Sequence, residues 1–244
     1  MNPLHDRGDP SLRRGFRGRA VIFDLDGTLI DTAPDIACAV DRTLLDLGVP
    51  AAGEERIRNW VGDGAGKLLE RALQHGGSTS DADPQRAMVL FLQHYAAVFT
   101  ARSRPYDGVA ATLERLAAQG RSLAVCTNKP ARFVQPLLRH LGLARYFAAC
   151  VGGDELPARK PDPLPLLHLA GVLGIAPRDC LMVGDSRNDV AAARGAGMPV
   201  VAVSYGYNHG ADIRDDAPDA VIEAMDQLLP LLEPDPKQTV DRSL

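Results

Sequence analysis

The sequence predicts an α/β protein whose core is a doubly wound, Rossmann-like parallel sheet with a helical block inserted into it. Two observations carry this prediction. Strand-like apolar runs alternate with amphipathic helical segments after residue 101, and one more such run lies at residues 19–25; this alternation is typical of parallel sheets. Between residues 33 and 101 only helical patterns occur. We therefore interpret that block as an insertion into the α/β order.

The predicted elements follow in order along the chain. The apolar run at residues 19–25 predicts the first strand, and Ile36, Val40 and Leu44 share one face of a predicted helix at residues 34–47. The inserted block also contains predicted helices at residues 54–60, 64–75 and 83–100. After the block, helices are predicted at residues 108–120, 131–141, 163–173, 189–196 and 220–232, and strands at residues 123–126, 148–151, 180–183 and 199–203.

Size and charge restrict the class of protein. With 244 residues, 45% of them hydrophobic, the chain can bury a full core in one or two domains. The net charge of −4 argues against nucleic acid as a partner. No stretch approaches the roughly 20 continuous apolar residues that a membrane-spanning helix needs, so no membrane partner is expected. We expect a monomer or a small homo-oligomer.

The termini and the cysteines predict a cytoplasmic protein. The first residues are basic but lack the apolar segment of a secretory signal, and residues 1–17 are interpreted as a flexible extension. Residues 233–244 contain two prolines and no apolar periodicity, and are interpreted as a flexible tail. The four cysteines are scattered without CxxC spacing, which indicates reduced residues rather than a metal cluster.

Two acidic residues end the first strand, in the string VIFDLDGTLID at residues 21–31. Asp24 and Asp26 are two positions apart, so on an extended strand their side chains point to the same side. The end of a strand in an open α/β sheet is where such folds bind ligands. Two neighbouring carboxylates repel each other unless a cation or proton lies between them. The alternative is a simple turn, because Asp-Gly is also a common turn sequence.

Three later strings bring further polar residues to strand ends. VCTNKP (125–130) carries Thr127 and Asn128, which suit a phosphate oxygen at a helix start but also suit a plain helix cap. ARKPDP (158–163) carries Lys160, whose ammonium suits anionic oxygens but is by itself also typical of a surface lysine. VGDSRND (183–189) repeats the pattern of the first motif, with Asp185 and Asp189 on the turn into a helix.

These four strings, in this order over residues 21–189, resemble the motifs of the haloacid dehalogenase superfamily. The resemblance implies a core at residues 18–32 and 102–232 and a mobile helical cap at residues 33–101. It also implies that Mg²⁺ binds the Asp24 and Asp185 side chains and the Asp26 backbone carbonyl, while Asp189 binds through water or orients Lys160. Hard divalent cations of this kind prefer oxygen ligands.

Catalytic roles also follow from the resemblance. Asp24 is expected to attack phosphorus and form an aspartyl-phosphate, and Asp26 to act as general acid and base. Thr127, Asn128 and Lys160 are expected to bind the phosphate oxygens. The acid at position 26 favours phosphate monoester hydrolysis or a phosphomutase over dehalogenation, and the absence of a histidine from the first cap helix favours the hydrolase.

Longer strings resemble the phosphoglycolate phosphatases within that superfamily. They are WVGDGA (60–65), ERAL (70–73), YDGVAATL (106–113), CTNKP (126–130), GGDELPARKPDPLPLL (152–167), VGDSRNDVAAARGAGMPV (183–200) and SYGYNHG (204–210). The resemblance implies a small phosphate ester as substrate, 2-phosphoglycolate, with glycolate and phosphate as products. The alternatives are a hydrolase for another small ester, such as a sugar phosphate or pyrophosphate, and a non-catalytic module on the same fold.

The cap raises two questions of its own. A substrate that carries a carboxylate needs a cation from the cap, and Lys67 and Arg71 are the candidates because they lie four residues apart on one helix face. Asp63 departs from the resembled family, which commonly has Asn there, so its role in the cap loop is open. Tyr207 and His209, in a Gly-flanked loop after the predicted strand at residues 199–203, could line the site or pack on the hinge of the cap.

Overall fold

The computed structural model describes residues 15–77 and 83–234. The predictions of a flexible extension and tail fall largely on residues 1–14 and 235–244, which lie outside the described residues. The described part forms a six-stranded sheet, a two-stranded sheet and eight α-helices.

The large sheet contains β1 (Ala20–Phe23), β4 (Ser122–Cys126), β5 (Ala149–Val151), β6 (Cys180–Gly184), β7 (Val200–Val203) and β8 (Ala220–Ile222). Its strand order is β5-β4-β1-β6-β7-β8, and all neighbouring strands are parallel. The chain runs from β1 outward to one edge, then returns to β6 and runs to the other edge. This is the doubly wound arrangement that the sequence predicts, so the predicted fold class is confirmed.

Helices cover both faces of this sheet because its side chains alternate between two buried clusters. Val21 and Phe23 belong to the cluster under α5 (Val109–Ala118) and α6 (Ala131–His140). Ala20 and Ile22 belong to the cluster under α7 (Leu164–Leu173) and α8 (Arg187–Ala196). Burial on both faces explains why the strands are continuous apolar runs.

Four helices between β1 and β4 form a unit with its own buried cluster. They are α1 (Ala33–Asp46), α2 (Glu54–Arg58), α3 (Ala65–His75) and α4 (Pro84–Val98). Their apolar side chains pack on one another, and the aromatic ring of Tyr95 on α4 contacts Phe133 of the core helix α6, with 4.8 Å between ring centroids. We call this unit the cap.

A two-stranded antiparallel sheet joins the cap to the core. β2 (Ile30–Asp31) leads into α1, and β3 (Arg104–Pro105) follows the cap and pairs with it. Asp35, fully buried in the first turn of α1, accepts hydrogen bonds from the backbone N–H groups of Arg102 and Ser103. These contacts hold together the two chain segments through which the cap is inserted.

The structure differs from the sequence prediction at both ends of the core. Residues 220–232 form β8 and a 3₁₀ helix at Met225–Leu231 rather than one α-helix. Pro230 lies inside that segment, and proline interrupts α-helical hydrogen bonding. Phe16, assigned to the extension from sequence, is buried against the core and forms an isolated parallel bridge with Leu232.

Within the described residues, no helix has both the length and the apolar composition needed to cross a membrane.

Candidate active site

The predicted catalytic residues meet at the carboxyl ends of three neighbouring strands. Asp24 follows β1, Thr127 follows β4 and Asp185 follows β6. The strand order reverses between β1 and β6, and that is the position at which doubly wound sheets bind ligands. The backbone N–H of Asp24 donates to the carbonyl of Val183, at a distance of 2.9 Å. This bond holds the loop after β1 beside the loop after β6.

Three buried carboxylates and one ammonium form the centre of the site. Oxygens of Asp24, Asp185 and Asp189 lie within 4.8 Å of one another. Lys160 Nζ lies 2.8 Å from Asp24 Oδ1 and 2.6 Å from Asp189 Oδ1, and it also donates to the carbonyl of Cys126 at 2.6 Å. The folded chain therefore brings Lys160 to the acidic residues although they are far apart in sequence.

Asp189 has a structural role at this centre. Its Oδ2 accepts hydrogen bonds from the backbone N–H and the hydroxyl of Ser186, which cap the first turn of α8. Its Oδ1 accepts from Lys160. Both oxygens of Asp189 are therefore engaged within the protein, and one of them contacts the ammonium of Lys160.

Glycines give Asp185 the room it occupies. Gly27 has φ of +90°, and a side chain on Gly27 or Gly206 would overlap the Asp185 side chain. Thr28 Oγ1 donates to Asp185 Oδ1 at 2.7 Å, and the backbone N–H of Tyr207 donates to its Oδ2 at 2.8 Å. The carboxylate is therefore fixed in orientation before any ligand binds.

The electrostatics of this centre fit a divalent cation. Burial raises the pKa of Asp24 to about 7, in spite of the nearby Lys160, and Asp189 and Asp26 add to the rise. Burial and the neighbouring Asp24 and Asp189 carboxylates raise the pKa of Asp185 well above its usual value. Asp24 Oδ1 is buried and, although Lys160 Nζ lies 2.8 Å away, no described residue donates a well-oriented hydrogen bond to it. Carboxylates that resist ionisation in this way suit a hard cation with oxygen ligands.

Lys160 stays charged in this environment. Burial works against its charge, but the Asp189 and Asp24 carboxylates raise the pKa of Lys160 above its usual range overall. An ammonium fixed beside Asp24 lowers the repulsion between that carboxylate and an approaching anion.

Asp26 lies apart from the three clustered carboxylates. Thr32 Oγ1 donates to Asp26 Oδ1 at 2.7 Å, and Lys129 Nζ donates to its two oxygens at 2.9 and 3.2 Å. Lys129 is not among the site residues predicted from sequence. The available signal was its place next to Thr127 and Asn128 in the string CTNKP, but a lysine in such a string is hard to tell from a surface residue.

A pocket opens between the core and the cap above these residues. Its core side is lined by Asp24, Asp26, Thr127, Asn128, Lys129 and Pro130. Its cap side includes Ile36, Val61, Leu68, Phe91 and Tyr95. Asn128 Nδ2 donates to the carbonyl of Gly62 in the cap and to the carbonyl of Lys160 in the core, both at 2.9 Å. The pocket is thus polar where it meets the strand ends and apolar under the cap.

Comparison with known proteins decides the family. Residues 19–197 match the family model described as haloacid dehalogenase-like hydrolase. The chain belongs to the haloacid dehalogenase-like hydrolases.

Individual relatives agree with this membership. A protein of Pseudomonas aeruginosa named phosphoglycolate phosphatase 1 is 48% identical over 216 residues, which cover 87% of this chain and 79% of the relative. A phosphoglycolate phosphatase of Yersinia pseudotuberculosis is 46% identical over 88% of this chain and 93% of the relative. The crystal structure of a predicted phosphoglycolate phosphatase from Haemophilus somnus superposes with a TM-score of 0.84 at 37% identity, covering 87% of this chain and 97% of that one.

The two cap cations predicted to bind substrate are engaged elsewhere in this hydrolase. Lys67 Nζ forms an exposed ion pair with Glu70 at 2.7 Å. Arg71 pairs with Asp63 and donates to the carbonyl of Trp60 at 2.9 Å. Neither residue is among those that line the pocket, so the structure does not bring them to the strand-end residues.

Asp63 connects the cap to the core. Its Oδ1 accepts from Asn188 Nδ2, on α8, at 2.6 Å, and its Oδ2 lies 3.5 Å from His209 Nε2. Burial works to raise the pKa of Asp63, but hydrogen bonds from Asn188 and Arg71 lower it overall. The carboxylate thus faces donors from both parts of the protein, which answers the question that the sequence left open.

Tyr207 joins the hinge of the cap to the acidic centre. Its hydroxyl accepts from the N–H groups of Thr32 and Ala33, both at 3.0 Å, and donates to Asp31 Oδ1 at 2.7 Å. Its backbone N–H holds Asp185. One residue therefore contacts both the start of α1 and a predicted metal ligand.

Replacement of Asp63 tests the link between cap and core. Asp63→Ala is expected to lower the free energy of unfolding by about 1–3 kcal/mol, because it leaves partly buried donors of Arg71 and Asn188 without their acceptor. Urea denaturation would measure the change. Glu70→Ala, which breaks the exposed pair with Lys67, is the control and is expected to have no measurable effect. Equal effects of the two substitutions would contradict the role of Asp63.

Removal of metal is expected to make stability depend on pH. The pKa of Asp24 is about 7 in the metal-free folded protein, against an ordinary value of 3.8. Between pH 3.8 and pH 7 the folded state therefore binds one proton more than the unfolded state. The resulting stabilisation is complete below the lower value and is lost as the pH rises through the higher one.

With a chelator present, the melting temperature is therefore expected to fall by roughly 5–10 °C between pH 5 and pH 8. Mg²⁺ at pH 8 should restore it, and Asp185→Asn should reduce the fall, since that change removes one of the repelling carboxylates. Scanning fluorimetry at matched ionic strength would measure this. The same fall with and without Mg²⁺ would show that the acidic centre does not bind the ion.

Proposed function

We propose that this phosphatase hydrolyses 2-phosphoglycolate to glycolate and phosphate in the cytoplasm, with Mg²⁺ as cofactor and an aspartyl-phosphate on Asp24 as intermediate. The observation that carries the proposal is the meeting of Asp24, Asp185 and Lys160 at the strand ends, next to a pocket lined by both the core and the cap. The phosphoglycolate phosphatases named above, at 46–48% identity, support the choice of substrate.

The metal ligands in this proposal are the side chains of Asp24 and Asp185 and the backbone carbonyl of Asp26. Mg²⁺ bound there supplies positive charge to the oxygens of the transferring phosphoryl group. Raised pKa values at Asp24 and Asp185 support this assignment, as does the lack of a well-oriented hydrogen bond to Asp24 Oδ1 among the described residues.

The first step is attack by a carboxylate oxygen of Asp24 on phosphorus. A new P–O bond forms to Asp24 as the bond from phosphorus to the ester oxygen breaks. Lys160, 2.8 Å from Asp24, offsets the like charges of the carboxylate and the phosphate. Thr127, Asn128 and Lys160 bind the phosphoryl oxygens as their charge develops.

Asp26 transfers the protons of both steps. It first donates a proton to the departing glycolate oxygen, which would otherwise leave as an alkoxide. It then accepts a proton from the water that attacks the phosphorus of the aspartyl-phosphate, which releases phosphate and regenerates Asp24. The hydrogen bond from Thr32 keeps the Asp26 carboxyl directed into the pocket.

The substrate is tested by phosphate release from a panel of esters with and without Mg²⁺. The panel contains phosphoglycolate, phospholactate, glycerol phosphates, hexose phosphates and pyrophosphate. We expect kcat/KM for phosphoglycolate to exceed the others at least ~100-fold, which corresponds to about 2.7 kcal/mol of discrimination. A sugar phosphate or pyrophosphate at the head of the panel would keep the phosphatase chemistry and replace the substrate.

The nucleophile is tested by Asp24→Asn, which keeps the shape of the side chain and removes its nucleophilic oxygen. Turnover is expected to be abolished while the circular dichroism spectrum is unchanged. Asp107→Asn, at an exposed position of the core, is the matched control. Ordinary turnover by Asp24→Asn would exclude the covalent intermediate, even if phosphoglycolate is the preferred substrate.

A further inference from the structure

Lys129 is a buried cation at the junction of core and cap. Its side chain is only 2% exposed. An ammonium in such a place is stable only when it is paired, and its partners come from both parts of the protein. Asp26 of the core lies 2.9 Å away, and the ring of Tyr95 on α4 lies beneath the ammonium, 4.7 Å from Nζ to the ring centroid.

The charge of Lys129 is distinctive within the pocket. Of the described residues that line the pocket, only Lys129 carries a cationic side chain. Lys160 lies at the acidic centre, where it pairs with Asp24 and Asp189. A second anionic group on a ligand, beyond the phosphate, therefore has Lys129 as its partner inside the pocket.

The position of Lys129 next to Asp26 fits the length of phosphoglycolate. In the proposed reaction, Asp26 lies within hydrogen-bonding reach of the ester oxygen, because it gives that oxygen a proton. The carboxylate carbon of phosphoglycolate is two bonds from the same oxygen. An ammonium that contacts Asp26 is thus placed beside the carboxylate of a bound substrate.

The remaining surface of the pocket reinforces this pairing. Ile36, Leu68 and Phe91 line the cap side with apolar side chains, and an ion pair is stronger in apolar surroundings than in water. The hydroxyl of Tyr95 is buried and has no hydrogen-bond partner among the described residues. Burial raises the pKa of Tyr95 to about 12, so the hydroxyl keeps its proton and remains a donor.

We propose that Lys129 is the specificity-determining residue of this site, and that its ammonium, held between Asp26 and the Tyr95 ring, binds the carboxylate of the substrate. This inference rests on the proposed function, since it assigns a residue to the carboxylate of phosphoglycolate. It also replaces Lys67 and Arg71, the cations expected from sequence, with a residue of the core.

The test compares two substrates that differ in the carboxylate. Phosphoglycolate and ethyl phosphate share the phosphate and the two-carbon chain, and the ratio of their kcat/KM values measures recognition of the carboxylate. Lys129→Met removes the cation, and Lys129→Gln also removes it but keeps a hydrogen-bond donor for Asp26. Both variants are expected to lower the ratio about 10- to 100-fold, the range for loss of a charged hydrogen bond.

The two-substrate ratio separates recognition from general damage. Loss of the partner of Asp26 would slow both substrates equally and leave the ratio unchanged, which would overturn the proposal. Arg159→Met is the control, because Arg159 is exposed, lies near Gly64 and is not among the lining residues; it should leave the ratio unchanged. A fall in the ratio with Lys67→Met or Arg71→Met, but not with Lys129→Gln, would return the carboxylate site to the cap helix.

The wild-type protein distinguishes failure of this inference from failure of the proposed function. A wild type that prefers phosphoglycolate, together with an unaltered ratio in Lys129→Gln, would refute the role of Lys129 and leave the function standing. A wild type that treats the two esters alike would refute phosphoglycolate as the preferred substrate, and the role of Lys129 with it. Lys129→Gln keeps a hydrogen-bond donor for the partly buried Asp26, so the test does not depend on Lys129→Met being folded.

Discussion

Repulsion among three buried carboxylates is the constraint on which the rest of this site depends. Asp24, Asp185 and Asp189 share one small volume, and Lys160 supplies one positive charge within it. Asp189 is satisfied by Lys160 and by the start of α8, so the excess negative charge remains on Asp24 and Asp185. The same excess charge that destabilises the metal-free protein suits the binding of a divalent cation.

The cap meets the core through an aromatic contact between Tyr95 and Phe133 and through polar contacts close to the acidic centre. Tyr207 contacts both the start of α1 and Asp185, and Asn128 contacts both Gly62 of the cap and Lys160. Asp63 adds a hydrogen bond to α8. Each polar contact of this kind contributes a modest free energy.

Contacts between distant segments explain where the sequence predictions for the site failed. Lys129 acts through partners more than thirty residues away, Tyr95 on α4 and Asp26 after β1, and no local pattern reports such distant contacts. Lys67 and Arg71 share a helix face as predicted, but local acids, Glu70 and Asp63, are their partners. Helical spacing determines which side chains are neighbours on a helix, and only packing determines which face meets the pocket.

The sequence by itself determined the α/β class, the inserted helical block and the residues that end each strand. These follow from local periodicity and from polar residues placed directly after buried apolar runs. Tertiary structure alone decided the pairing of β2 with β3, the addition of β8 to the sheet edge, and the partners of Lys129 and Asp63. Short strands and buried ion pairs are stabilised by contacts between segments that are distant in sequence. No single stretch of sequence therefore predicts them.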